Sequence, residues 1–259
     1  MSRHLPRRPR AAVPLIAALA ALATALVAAP AASATDVTVT SFDGTKIVAH
    51  WFPAPGLKPG RRAPTVMNGP GWSQPGASDP TAADTPEVGV VGLKSLLGAG
   101  YNVLTWDPRG FGRSGGTVEV DSKDFEGRDA KALISWLARQ PQVQLDRPGD
   151  PRLGMVGASY GGGIQLVTAA IDRRVDTIVP SIAWHSLTTA LYKTGVVKLG
   201  WASILATLGS TLGRLDPHIT SAATQGAATG TLSPANVAWF AARGPGSLVQ
   251  RIRIPTLFI

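Results

Sequence analysis

The sequence predicts an α/β fold: a mostly parallel sheet with helices on both faces and an inserted helical cap. Three observations support this prediction. Short β-rich segments alternate with helical patterns as far as residue 179, which is typical of a covered parallel sheet. Within this alternation, residues 155–163 run from a strand-like pair into a glycine-rich bend. From Ser181 to about Arg251 the pattern is helical, and Ile254 to Ile259 resumes as a strand.

The predicted elements begin with an antiparallel β-hairpin. Residues 36–40 and 46–52 alternate polar and apolar side chains on either side of an Asp43-Gly44 turn. The next strand, 63–67, leads into a Gly/Pro turn at 68–72. The later elements are predicted as a helix over 88–97, a strand over 101–106, a helix over 125–137, a strand over 153–156, a helix over 162–170 and a strand over 175–179.

The helical region 181–251 has two open interpretations. Helical patterns occur around 187–208 and near Val237, and a Ser/Thr/Ala/Gly-rich stretch covers 220–233. An insertion at this point is expected to lie over the carboxyl ends of the strands, where ligands commonly bind. It is either a lid over a site or an additional helical layer with no gating role.

The bend at 157–161, Gly-Ala-Ser-Tyr-Gly, has the GxSxG pattern of a nucleophile elbow. Ser159 follows a predicted strand and precedes a predicted helix, which is the context the pattern requires. Glycines two positions before and after it remove side chains that would collide with the adjoining strand and helix. Ser159 is therefore the candidate nucleophile. The backbone N–H of Tyr160 is a candidate donor to the oxyanion of a tetrahedral intermediate.

A second glycine-rich loop, Asp-Pro-Arg-Gly-Phe-Gly-Arg-Ser-Gly at 107–115, follows the strand 101–106. Its glycines spell GxGxxG, but residues 116–120 are extended rather than helical, which disfavours a dinucleotide site. The sequence has no GK[ST] motif of a P-loop either. We expect Asp107 to accept backbone N–H bonds and to pair with Arg109, so that it shapes the loop.

The amino-terminal 34 residues predict a secretory signal peptide. Four arginines precede an Ala/Leu-rich stretch and an Ala-Ser-Ala sequence, so cleavage is expected after Ala34 and the mature domain is 35–259. Pro14 interrupts the apolar run, which disfavours a stable membrane anchor. The chain contains no cysteine, so it has neither disulfides nor thiolate metal sites.

The charge balance does not suggest a nucleic-acid partner. The formal charge is +9, but four of the 25 basic residues lie in the signal and all 16 acidic residues lie after it, which leaves a surplus of five. No dense Lys/Arg run occurs in the mature part, so the surplus is interpreted as a solvated surface. No metal or organic cofactor is indicated.

The turn Gly-Pro-Gly-Trp at 69–72, the Asp-Pro-Arg loop and the run 157–163 together resemble the α/β-hydrolases of the X-prolyl dipeptidyl-peptidase and cocaine-esterase group. The resemblance covers about residues 37–259. It implies that Ser159 is the nucleophile, that the Tyr160 N–H is one oxyanion donor, and that Gly71 or Trp72 provides the other. Family members often carry a tyrosine in that turn, whereas this chain has Gly-Trp, so only a backbone N–H is assigned.

The resemblance also implies an order of Ser, Asp, His for the catalytic triad, with the acid after the strand 254–259. We therefore expect the acid and the histidine to follow Ile259 and interpret the chain as incomplete at its C-terminus. A base must lie within about 3 Å of the serine hydroxyl. His4 lies in the signal, His50 in the hairpin, and His185 and His218 in the cap. Of these, only His185 is a candidate substitute base.

The sequence thus indicates a secreted serine hydrolase that acts on a small ester, amide or peptide through an acyl-enzyme. Esterase and X-prolyl peptidase activity remain open, and the oligomeric state is not indicated. A secreted binding protein that keeps the fold without catalysis is the rival interpretation. Trp72, Tyr160 and Trp184 are candidates for the wall of an apolar pocket, or alternatively for the core.

Overall fold

A computed structural model describes residues 34–259; the predicted signal peptide lies outside them, apart from Ala34. Six strands form one sheet in the order β1-β2-β4-β3-β7-β8, and two short strands, β5 and β6, form a separate hairpin that the sequence did not predict. The strands are β1 (Thr35–Thr40), β2 (Lys46–Phe52), β3 (Thr65–Gly69), β4 (Asn102–Trp106), β5 (Leu145–Arg147), β6 (Asp150–Pro151), β7 (Leu153–Ala158) and β8 (Thr177–Ser181).

Seven α-helices accompany these strands in the described part of the chain. They are α1 (Leu93–Gly98), α2 (Glu126–Leu137), α3 (Tyr160–Ile171), α4 (Leu187–Leu191), α5 (Leu199–Leu212), α6 (Pro217–Thr229) and α7 (Pro234–Ala241), and short 3₁₀ turns occur at Pro86–Val88, Lys193–Gly195 and Gly246–Arg251. None of the helices within residues 34–259 has the length and apolarity needed to cross a bilayer.

The sheet is antiparallel at its β1 edge and parallel in its centre. β1 pairs with β2 and β2 with β4 in antiparallel register, whereas β3 pairs in parallel with both β4 and β7, and β7 with β8. Residues 254–259, predicted as the last strand, lie alongside β8 but form only an isolated parallel bridge between Thr256 and Ile178. The Leu257 amide donates to the Ile178 carbonyl at 3.1 Å and the Ile259 amide to the Pro180 carbonyl at 3.3 Å. The predicted α/β class is therefore confirmed.

Alternating residues of the strands send apolar side chains into two cores, one on each face. Met67 and Leu104 belong to the larger core, which α2 and α3 cover. Their neighbours Val66 and Val103 belong to the smaller core under α1. Because both faces are covered, adjacent residues of the central strands, such as Val66 and Met67, are both apolar and both buried.

Two further predictions differ from the structure. The helix expected over 88–97 begins only at Leu93, because the 3₁₀ turn before it ends at Gly89 with a left-handed φ of 64°. The Ser/Thr/Ala/Gly-rich stretch 220–233 is mostly helical and forms α6. The Asp216 side chain caps α6 by accepting from the His218 amide, and Gly226 of α6 lies against Val197. The sequence predicted helices on either side of this stretch but none within it, and the cap at Asp216 and the contact with Val197 stabilise one there.

Candidate active site

Ser159 occupies a strained corner between β7 and α3. Its φ and ψ are 55° and −116°, a conformation that non-glycine residues rarely adopt. The Ser159 amide donates to the Ser181 carbonyl of β8 at 2.9 Å, and its carbonyl accepts from the amides of Gly162 and Gly163 at 2.9 Å each. Strain of this kind persists only where the surroundings fix the backbone. Here the sheet and the first turn of α3 hold the corner from both sides.

The glycines of the elbow are required by close backbone contact. A Cβ on Gly161 would lie 2.1 Å from the Gly69 carbonyl oxygen, and a Cβ on Gly157 would lie 2.5 Å from the same atom. Gly157 also has a φ of 143°, which side chains rarely adopt. The three glycines therefore bring the end of β3 directly against the start of α3. As a result, the turn after β3 begins at the same edge of the sheet as Ser159.

The turn after β3 contains the second pair of predicted site residues. The Gln74 amide donates to the Gly71 carbonyl at 3.2 Å, whereas the amides of Gly71 and Trp72 donate to no described residue. The Tyr160 amide, first in its helix, also has no acceptor among the described residues. The Trp72 indole N–H donates to the Leu205 carbonyl of α5 at 2.8 Å, which ties this turn to the cap.

Ser159 opens onto an apolar cleft of about 210 Å³ between the sheet edge and the cap. Trp72, Tyr160 and Trp184, which were candidates for a pocket or for the core, all line it. The Tyr160 ring meets Trp72 edge-on at 5.2 Å and stacks on Trp184 at 6.4 Å. Helices α4, α5 and α6 supply the opposite wall. The inserted cap therefore covers the predicted nucleophile.

The histidines of the described chain are engaged away from Ser159 or exposed. The ring of His50 is buried and lies 2.7 Å from Asp36 and 3.4 Å from Asp107. The ring of His218 lies 2.9 Å from Asp216 and stacks on Trp239. His185 is exposed and does not line the cleft. The geometry therefore gives no support to His185 as a substitute base.

The predicted pairing of Asp107 with Arg109 is wrong, although the predicted backbone bonds of Asp107 are present. Asp107 accepts from the amides of Gly76 and Arg113 at 2.9 and 2.8 Å. Burial alone would raise the pKa of Asp107, but these bonds and that from His50 hold it below its ordinary value.

Arg109 instead forms ion pairs with two other aspartates, Asp129 and Asp43. Its guanidinium donates two bonds of 2.8 Å to Asp129 and one of 2.9 Å to Asp43. It also lies over the rings of Phe42 and Phe125, at 5.5 and 5.1 Å from their centres. A bidentate, buried partner is the better match for a planar guanidinium, because two parallel N–H bonds satisfy it away from water.

A group of buried acids behind Tyr160 was not predicted from the sequence. Both carboxyl oxygens of Asp121 are buried without a hydrogen-bond partner among the described residues. Glu126 accepts from the Tyr160 hydroxyl at 3.2 Å and from the amides of Glu119 and Ser122 at 2.6 and 2.9 Å. Burial raises the pKa of Glu126 to about 7, and burial beside Glu126 raises the pKa of Asp121 well above its ordinary value.

These acids pack under the first turn of α3. A Cβ on Gly163 would lie 2.3 Å from a carboxyl oxygen of Asp121, so that glycine makes room for the carboxyl group. Asp121 itself has a φ of 53°. The one sequence signal for this arrangement was the Gly161-Gly162-Gly163 run, since three consecutive glycines are unusual inside a helix.

Chemically, the corner offers a half-buried hydroxyl at the floor of an apolar cleft, near amides that have no acceptor in the described part of the chain. Such an arrangement can bind a carbonyl group whose oxygen accepts the amides while its carbon faces the hydroxyl. The strand order, the elbow and the inserted cap define the class as an α/β-hydrolase fold. More particularly, residues 43–252 match the X-Pro dipeptidyl-peptidase (S15) family, and the chain belongs to that family. The resemblance inferred from the motifs is confirmed.

Individual relatives are more distant. The chain is 27% identical over 143 residues to the polyketide transferase grgF of a Penicillium species, an alignment that covers 54% of this chain and 42% of the relative. The chain spans less than half the length of the curated relatives it matches.

Two solved structures share the fold. Acetyl xylan esterase 1 of a Thermoanaerobacterium species has a TM-score of 0.55 at 19% identity, covering 88% of this chain and 68% of that one. The α/β-hydrolase GrgF of Penicillium sp. sh18 has a TM-score of 0.54 at 20% identity, covering 87% of this chain and 78% of that one. At these identities the likeness supports the fold.

Proposed function

We propose that the protein is a serine hydrolase that cleaves an ester or peptide bond through an acyl-enzyme on Ser159. The observation that carries this proposal is the position of Ser159: a strained corner that opens onto the cleft beneath the cap. Membership in a peptidase family supports the same reaction class. The half-buried hydroxyl is accessible to a carbonyl group bound in the cleft.

In the proposed reaction the Ser159 oxygen attacks the carbonyl carbon while a general base accepts its proton. The Tyr160 amide, together with that of Gly71 or Trp72, donates to the oxyanion. The proton then passes to the leaving group, and water hydrolyses the acyl-enzyme by the same steps. Since the described histidines are engaged elsewhere or exposed, we place the base and its acid partner outside residues 34–259.

A fluorophosphonate probe tests the nucleophile. The full-length product of the gene is incubated with the probe and the modified residue is identified by mass spectrometry of its peptides. Labelling is expected at Ser159 and is abolished in Ser159→Ala. The same change at Ser203, an exposed serine of α5, leaves it intact. An unlabelled Ser159 in folded wild-type protein would overturn the proposal.

Turnover is tested in parallel with acetyl and longer-chain aryl esters and with X-Pro anilides. Ser159→Ala is expected to lower kcat by at least about 10⁴-fold.

We further propose that the protein is exported and that residues 1–34 are removed. Amino-terminal sequencing of the protein recovered from the culture medium is expected to begin at Thr35. A mature protein that retains Met1 would refute this part.

A binding protein without catalysis is the second candidate. The observation that favours it is the absence of a histidine bonded to Ser159 among residues 34–259. This candidate predicts that the cleft binds a ligand in full-length protein that neither reacts with the probe nor turns over esters. The labelling experiment therefore separates the two candidates.

A further inference from the structure

Within residues 34–259, the wall of the cleft contains no charged side chain. Nineteen residues line it, and none of them is Asp, Glu, Lys, Arg or His. Its body is aliphatic and aromatic, with Leu187, Leu191, Leu205, Ile219 and Phe240 as its large apolar members. Apart from the general base and acid that we place outside residues 34–259, a molecule bound in the cleft therefore meets no charged side chain of its wall.

The polar side chains of the wall are largely committed to the protein. The Tyr192 hydroxyl accepts from the Leu232 amide at 3.2 Å, and the Thr188 hydroxyl lies 2.8 Å from that of Ser186. The Trp72 indole donates to the Leu205 carbonyl. The Ser159 hydroxyl has no hydrogen-bond partner among residues 34–259, whereas the Trp184 indole N–H, which also lacks one, is fully buried and lies next to Gly244. Under the proposed function the polar end of the ligand is a carbonyl group at Ser159, and the aliphatic and aromatic wall favours an apolar remainder.

The buried acids behind Tyr160 do not face the cleft. Asp121 and Glu126 line a separate small void with Pro70 and Ile164, on the far side of the Tyr160 ring. The Tyr160 ring lines both spaces and separates them. Neither carboxyl group lines the cleft, so neither can act as the counter-ion of a cation bound there.

This wall is a poor match for a substrate with a free amino terminus. A dipeptidyl-peptidase substrate carries an α-amino group whose pKa of about 7.7–8.0 keeps it mostly protonated at pH 7. A cation that enters an uncharged apolar wall loses its hydration without gaining a partner. By contrast, each additional methylene group of the ligand that is buried in the cleft raises the affinity roughly fourfold.

We infer that the cleft is an acyl pocket for an uncharged, apolar chain or ring, and that it rejects the protonated amino terminus of an X-Pro peptide. The inference rests on the proposed function in taking Ser159 as the point of attack. It narrows the substrate class to neutral esters or amides with an apolar acyl group. Ala202, Ala206, Ala222 and Ala223 supply small side chains along the helical wall, so the space they leave sets the length of the chain accepted.

Binding of unreactive ligands tests this without any need for turnover. Titration calorimetry on the full-length protein compares butanamide, pentanamide and hexanamide with 6-aminohexanamide, and acetyl-Ala-Pro-amide with Ala-Pro-amide. Affinity is expected to rise about fourfold for each methylene. The two ligands with a free amine are expected to bind at least about tenfold more weakly than their neutral counterparts.

Two variants of α5 provide the structural control. Ala206→Phe fills the cleft and is expected to abolish the dependence on chain length. Ser203→Phe adds the same ring to an exposed position of the same helix and is expected to leave that dependence unchanged. Circular dichroism of both variants verifies that the cap remains helical.

Three outcomes would overturn the inference: equal affinity for the amine and neutral ligands, affinity independent of chain length, or no binding of any alkanamide. These outcomes are distinct from a failure of the proposed function. A protein whose Ser159 is not labelled by the fluorophosphonate probe, but which binds hexanamide better than butanamide, refutes the reaction and retains the pocket. A protein that is labelled at Ser159 but prefers Ala-Pro-amide retains the reaction and refutes the pocket.

Discussion

Replacing Gly161 with alanine tests the close packing on which the elbow depends. A Cβ at this position would lie 2.1 Å from the carbonyl oxygen of Gly69 and 2.9 Å from that of Pro70. Ordinary contacts begin at 3.4 Å, so β3 and α3 would have to separate by about 1.3 Å at this point. Both atoms belong to the backbone, so no side-chain rotation can relieve the clash.

The size of the effect follows from two opposing contributions. Overpacking a rigid site costs about 1–3 kcal/mol in the free energy of unfolding. We expect a cost near the upper end of this range for Gly161→Ala, because two backbone carbonyl groups would contact the new Cβ. Alanine regains about 1 kcal/mol because it favours the helix more than glycine does. The expected net loss in the free energy of unfolding is therefore about 2 kcal/mol. For a domain of this size that corresponds to a fall in Tm of about 4–8 °C.

Urea denaturation followed by tryptophan fluorescence measures this loss, and Gly98→Ala is the matched control. Gly98 is also a helical glycine, but a Cβ there meets nothing within 4 Å. The control is expected to be neutral or more stable by up to about 1 kcal/mol. The displacement of Gly69 also shifts the turn at Gly71 and Trp72, so fluorophosphonate labelling of Gly161→Ala is expected to slow. Equal unfolding midpoints for the two variants would refute the reasoning about the elbow.

Two further predictions concern buried charges. Burial raises the pKa of Glu126 from 4.5 to about 7. Between these two pH values the folded state therefore binds more protons than the unfolded state. The free energy of unfolding is expected to fall by about 3 kcal/mol as pH rises through this window. Glu126→Gln is expected to reduce this fall in urea titrations at pH 5 and 7.5, and an unchanged fall would contradict the assignment. Asp129→Ala leaves Arg109 buried without its bidentate partner and is expected to cost about 3–5 kcal/mol. Asp124→Ala, at an exposed aspartate, should cost less than about 1 kcal/mol, and similar losses in both would contradict a buried ion pair.

The central sheet could be predicted because its signals are local. Each strand carries a short apolar or alternating run bounded by glycine or proline, and the GxSxG sequence fixes one strand-to-helix corner. The structure shifts most predicted boundaries by one or two residues. The helical cap could be predicted as a region, but not the number of its helices, since α6 depends on a cap at Asp216 and on contact with Val197.

The environment of the site could not be predicted, because it depends on residues far apart in the sequence. Arg109 has several acidic residues within reach along the chain, and only the fold selects Asp129 and Asp43. Likewise, nothing in the sequence around Asp121 and Glu126 distinguishes them from exposed acidic residues near the start of a helix. Their burial comes from α3, whose Tyr160 is 34 residues from Glu126 and donates a hydrogen bond to it.

The bond between the Trp72 indole and the Leu205 carbonyl links the turn beside the nucleophile to the roof above it. Gly209, one helical turn further along α5, leaves room for the same indole: a Cβ there would lie 2.8 Å from the ring. A ligand that lifts α5 must break this link or carry the turn outward. The positions of α5 and of the turn at Gly71 and Trp72 are therefore coupled through this one indole, so that a substitution on the cap helix can reach the edge of the sheet beside Ser159.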